Sequence, residues 1–171
     1  MNQQYQAGAA GEARVEKQGE RWTLILVRQF RHKPEKVWQA ITDPVHLREW
    51  APFDADASLA HQGATVTLTT IGAQATQTTI VKADRPHLLE YSWGENHMRW
   101  QLEEHDNGTR MTLWHNIPQS FVSMGAAGWH ICFDVLEHLV DGNPLGRIVG
   151  PDAMQHGWPR LKAEYEARFE A

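Results

Sequence analysis

The chain has 171 residues, 22% of them charged, and a formal net charge of -5. That length suits one domain able to bury roughly 70% of its unfolded surface, and an acidic balance with no basic run argues against nucleic acid as a partner. The single Cys132 excludes an internal disulfide, and no stretch reaches the ~18 apolar residues of a membrane span, so a reducing, cytoplasmic setting is expected.

Residues 1–20, rich in Gln, Ala, Gly and Glu, show no periodicity and read as a flexible leader, leaving residues 21–171 as one domain. The segment RWTLILVRQF at 21–30 reads as a strand buried on both faces at its centre. Lys33-Pro34-Glu35 opens a short helix with Val37, Trp38 and Ile41 on its apolar side, and Asp43 caps a second one ending at Trp50. Strands are then expected at 54–61, 64–71, 75–84, 87–94, 97–105 and 109–116, separated by turn compositions such as Gln62-Gly63 and Asp106-Asn107-Gly108. Connections this short predict an antiparallel meander of about seven strands in all.

Strand parity places Met98, Trp100 and Leu102 on one face, with Met111, Leu113 and His115 on the next strand and Leu89, Tyr91 and Trp93 on the one before. Residues 125–140 then form an amphipathic helix with Trp129, Cys132, Phe133, Leu136, Leu139 and Val140 on its stripe and His130, Asp134 and Glu137 on a flank. Asp141-Gly142-Asn143-Pro144 stops it, residues 145–157 read as a loop, and Trp158, Leu161, Tyr165 and Phe169 mark a last helix. The elements describe an α+β domain whose curved antiparallel sheet wraps a long C-terminal helix, with two short helices after the first strand.

Three stretches carry a family resemblance: FRHKPEKVWQAITDP at 30–44 with Leu47 and Trp50, GTRMTLWH at 108–115, and Gly128-Trp129-His130 with Leu136, Leu139 and Gly142, followed by Trp158, Leu161 and Tyr165. In this order the chain resembles the START-like helix-grip (SRPBCC) superfamily, and within it the branch named for the activator of the heat-shock ATPase. The resemblance implies a sheet gripping the C-terminal helix, with a cavity between them for an apolar or aromatic ligand. It does not imply one activity, since the fold serves carriers, cyclases and co-chaperone domains alike.

His115, turned with Met111 and Leu113 toward the helix, is a candidate neutral hydrogen-bonding group for a ligand, or a strand-end histidine bonded to backbone. Trp50, Trp93, Trp100 and Trp129 either floor a pocket or fill the core, together with Tyr91 and Phe133. Arg28 is the candidate cation for a ligand anion, with a structural ion pair as the alternative. His130 with Asp134 reads as a surface flank pair, and Cys132 as a small hydrophobe. His87, His97 and His105 are too scattered to form a metal set, and no phosphate loop or nucleophile elbow occurs, so neither cofactor nor metal is expected. The leading expectation is a non-catalytic binding or carrier protein for a hydrophobic small molecule. An aromatase/cyclase-type enzyme using His115, with Tyr91 or Arg28, and a co-chaperone-like module are the alternatives.

Overall fold

The computed structural model describes residues 5–170. Its first strand, β1 (Ala13–Gln18), lies inside the segment expected to be a leader, and forms a hairpin with β2 (Arg21–Phe30) from Ala13↔Leu26 to Gln18↔Arg21. Gly19 supplies the positive φ that this tight turn needs. Ala13 and Val15 are the apolar inward positions of β1, while the rest of the strand is exposed, so its alternation is too short to stand out in the sequence. Residues 5–12 are docked as well: the Ala7 N–H donates to the His156 carbonyl at 3.0 Å. Residues 1–4 lie outside the described residues.

The two short helices stand where proline and aspartate place them. In α1 (Pro34–Thr42), Pro34 occupies the first turn. In α2 (Pro44–Leu47), the Asp43 side chain accepts the Val45 N–H at 2.9 Å.

Seven further strands follow: β3 (Phe53–Ala55), β4 (Thr65–Thr70), β5 (Ala75–Thr79), β6 (Lys82–Asp84), β7 (Leu88–Trp93), β8 (Asn96–His105) and β9 (Gly108–Asn116). They divide into a six-stranded sheet, β1-β2-β9-β8-β7-β6, and a three-stranded one, β3-β4-β5, each antiparallel throughout. Two expected strands are thereby corrected. The one at 54–61 ends after three residues: Asp56 still donates its N–H to the Thr67 carbonyl at 3.2 Å, but its carboxylate, in place of its own carbonyl, accepts the Thr67 N–H at 2.9 Å. The one at 75–84 breaks at Ile80, which is buried between β5 in one sheet and β6 in the other. At the β8–β9 turn, Asp106 and Asn107 take positive φ, and a Cβ on Gly108 would stand 2.1 Å from the Phe30 carbonyl oxygen, so only glycine fits.

The register joins the predicted inward faces, with Trp100 opposite both Leu89 and Leu113, and Met98 opposite both Tyr91 and His115. Across that face lies α3 (Val122–Val140). A Schellman cap ends it: Gly142 takes φ 88, its N–H donates to Leu139 O, and the Asn143 N–H donates to His138 O. Beyond a 3-10 turn at Gly150–Gln155, α4 (Trp158–Glu170) packs on the opposite side of α3 through Leu161 and Tyr165. The supposed flank of α3 is therefore interior, and His130 is only 5% exposed.

Candidate functional site

The space between sheet and α3 is filled by aromatic rings. Trp100 meets Trp50, Trp129 and Phe133 edge-on at centroid distances of 6.2, 5.5 and 6.0 Å. Trp50 donates its indole N–H to the Ala40 carbonyl at 2.9 Å, and Tyr91 stands edge-on to Phe53. Met111 and Leu113 are buried beside them. Of the ten side chains expected to meet a ligand, Trp50, Tyr91, Trp100, Met111, Leu113 and Phe133 thus serve as packed core. Close packing of such rings is worth roughly 1.5–3 kcal/mol per side chain in burial alone.

His115 is buried in the same body. Its Nδ1 accepts the Trp129 indole N–H at 3.1 Å, its ring stacks on Trp93 at 5.8 Å, and Nε2 has no partner among the described residues. Burial lowers its pKa to about 4, so the ring is neutral near pH 7.

Arg28 is committed to protein partners. Its Nη1 reaches Asp134 Oδ1 at 2.7 Å and Glu137 Oε1 at 3.2 Å. Tyr5 donates its hydroxyl to Asp134 Oδ2, and His130 places Nε2 3.5 Å from that oxygen and Nδ1 2.8 Å from the Tyr165 hydroxyl. Burial by itself raises the Asp134 carboxyl, but the His130 hydrogen bond, the Arg28 charge and the Tyr5 hydroxyl outweigh it and hold it at about 2. The predicted surface pair is the centre of a part-buried network under α4 and the N-terminal segment. Sequence parity shows Arg28 facing α3, but not that Tyr5 and α4 seal the cluster from the other side.

Open space occurs at the edge of α3 instead. A cavity of about 310 Å³ lies against Gly125, Gly128 and Cys132, at the small end of the ~300–1,000 Å³ usual for ligand sites. Trp93 and Trp129 form its inner wall, and Ile148, Ala153, Met154 and Trp158 its outer wall. Of the expected ligand residues, these two tryptophans alone line it. The outer wall is pinned by Arg147, whose Nη2 donates to the Leu47 and Phe53 carbonyls and to Asp54 Oδ1 at 3.1, 3.2 and 2.7 Å.

The loop at 145–157, to which sequence reasoning gave no role, therefore supplies most of the outer wall. One signal was present in the helix itself. Glycine inside a helix costs about 1 kcal/mol relative to alanine, and α3 carries two. Gly125 has a packing reason, since a Cβ there would stand 2.9 Å from Ile117 Cδ1. Gly128 has none: within 4 Å its Cβ would meet only Trp158 Nε1, at 4.0 Å. The space beside it opens into the cavity.

The lining bears no charged side chain, and burial pushes the Cys132 thiol up to about 12, far from a thiolate at neutral pH. Among the described residues no three His, Cys, Asp or Glu side chains gather as metal ligands, and no helix is long and apolar enough to cross a membrane.

No curated protein sequence matches the chain. Among solved structures it is similar to a conserved protein of unknown function from Enterococcus faecalis, with TM-score 0.70 and 13% identity over 92% of this chain and 90% of that one. CalU16 from Micromonospora echinospora aligns with TM-score 0.65 and 19% identity, over 91% and 94%. A protein from Staphylococcus saprophyticus aligns with TM-score 0.62 and 21% identity, over 71% of this chain and 93% of that one. Likeness at these identities establishes the helix-grip fold. Residues 31–141, from the turn after β2 to the cap of α3, match the profile described as Activator of Hsp90 ATPase homolog 1-like protein, which leaves Ile148 to Trp158 outside the matched stretch. With well over half its length inside that profile, the chain belongs to the Activator of Hsp90 ATPase homolog 1-like family.

Proposed function

We propose that the protein is a non-catalytic binding or carrier protein for a hydrophobic, ring-containing small molecule, held between α3 and the 148–158 segment and working in the cytoplasm. The observation that carries this reading is the cavity of about 310 Å³ whose wall is aromatic, aliphatic and sulfur-bearing without a charge. Such a lining rewards apolar area and offers nothing to an ion. It moves the ligand from the aromatic-filled space facing the sheet to the neighbouring edge of the same helix.

The groups weighed for an aromatase/cyclase role do not converge. Arg28 is paired with Asp134, burial raises the Tyr91 hydroxyl well above its ordinary range, and His115 is bonded to Trp129. For a co-chaperone-like module, the exposed large apolar side chains Val45, Ile71, Val81, Phe121 and Met154 belong to five separate segments, which favours no docking face.

Gly128→Leu tests the reading. The substitution fills the notch with an isobutyl group and replaces a poor helix former by a good one. Wild-type tryptophan fluorescence responds to naphthalene- and fluorene-based probes, whereas the variant keeps its circular dichroism and loses the response. A wild type silent to every probe overturns the proposal.

A further inference from the structure

Three indoles line the cavity, and they differ in what their N–H groups do. Trp93 Nε1 donates to Thr70 Oγ1 at 2.7 Å, and Trp129 Nε1 donates to His115 Nδ1 at 3.1 Å. Trp158 Nε1 has no hydrogen-bond partner among the described residues, and it is the atom that faces the Gly128 notch at 4.0 Å. The other lining side chains are aliphatic, thioether or thiol. The cavity thus holds one strong donor free to meet a ligand, and no charge.

An indole N–H donates and cannot accept. A ligand that strips solvent from it without returning an acceptor leaves the donor unsatisfied, and sites built on such a donor discriminate against analogues lacking the matching group. A charged ligand is disfavoured for a separate reason: it would lose its hydration with no counter-charge in the wall. Resting on the binding reading above, we propose that Trp158 is the specificity-determining residue of the cavity, and that its ligand is a neutral, apolar ring compound carrying one accessible oxygen acceptor of the ketone or quinone type.

The test uses shape-matched pairs: 9-fluorenone with fluorene, 2-acetylnaphthalene with 2-isopropylnaphthalene, and benzophenone with diphenylmethane. Wild-type protein binds the ketone of each bound pair about tenfold more tightly, the size of one neutral hydrogen bond. Trp158→Phe keeps an aromatic ring and removes the N–H, so ketone affinity falls to that of the hydrocarbon while hydrocarbon affinity holds. In wild-type protein labelled with nitrogen-15, the Trp158 indole proton moves downfield with 9-fluorenone and not with fluorene, a measurement that needs no variant. Equal affinity within the bound pairs, a ketone preference that survives Trp158→Phe, or an indole shift common to both members overturns the role of Trp158 and leaves the binding reading standing. Failure of all six compounds to bind overturns the binding reading itself.

Discussion

The indole N–H of Trp129 on α3 donates to Nδ1 of His115 on β9 at 3.1 Å. Because that nitrogen accepts, the neutral ring carries its proton on Nε2, which has no partner among the described residues. Protonation would bury a charge, which is why the pKa falls from 6.5 to about 4. The unfolded chain therefore takes up the proton first, and the stability contributed by neutral His115 is complete above about pH 6.5 and lost progressively down to about pH 4. The loss is on the order of 3 kcal/mol, at ~1.4 kcal/mol per pKa unit. His115→Gln retains an acceptor for Trp129 and removes the titration. Urea unfolding across this range should show wild type losing more stability than the variant, and parallel pH profiles would refute the assignment.

The two helical glycines separate packing from space. Gly128→Ala should gain about 1 kcal/mol, since the new methyl enters the cavity and α3 gains a better helix former. Gly125→Ala should gain clearly less, because Ile117 Cδ1 stands 2.9 Å and Leu24 Cδ2 3.4 Å from the new Cβ. Thermal unfolding of the two variants compares them directly. Equal gains would mean that Gly128 is no more open than Gly125.

Period and parity made the grip legible, because β7, β8 and β9 alternate cleanly and are joined by turns that fix their register. The same signals told little about what covers α3 from behind. Its helix is buried on both sides, so its apolar stripe does not reveal that α4 and residues 5–12 close the far face around His130 and Asp134. The site was half legible for a related reason: Trp93 and Trp129 sit on periodic elements, whereas Ile148 and Met154 sit in a segment with no period to read. Whether a tryptophan fills or lines a space depends on what stands opposite it, and the residues opposite are distant in sequence.

Tyr5 joins the N-terminal segment to the Asp134 network through its hydroxyl. Tyr5→Phe keeps the ring against His138 and His156 and deletes a bond to a charged acceptor, a change worth about 2 kcal/mol. The expected readout is local as well as global: amides of residues 5–12 exchange faster while those of β8 and β9 keep their protection. The depressed Asp134 pKa adds a pH signature. Stability from its carboxylate is present above about 3.8 and lost as pH falls toward about 2, and Tyr5→Phe narrows that loss. A variant exchanging like wild type throughout residues 5–12 would show that the hydroxyl is not what holds the segment.

Arg147 ties the outer wall of the cavity to the corner between α2 and β3, through two backbone carbonyls and Asp54. Three acceptors converge on one guanidinium nitrogen, and a side chain without donors leaves the carbonyls to water and the wall without its anchor. Arg147→Met preserves much of the aliphatic stem. It should cost roughly 2 kcal/mol in unfolding free energy, with a larger proportional effect on binding, since Ile148 and Met154 then lose the anchor of the outer wall. Arg147→Lys retains a charge but not the planar fork, and should restore only part of the loss. The measurement is probe affinity beside chemical unfolding for both variants. Ligand affinity that survives Arg147→Met while stability falls would detach the anchor from the site, and would place the cavity's rigidity in α3 and Trp158 alone.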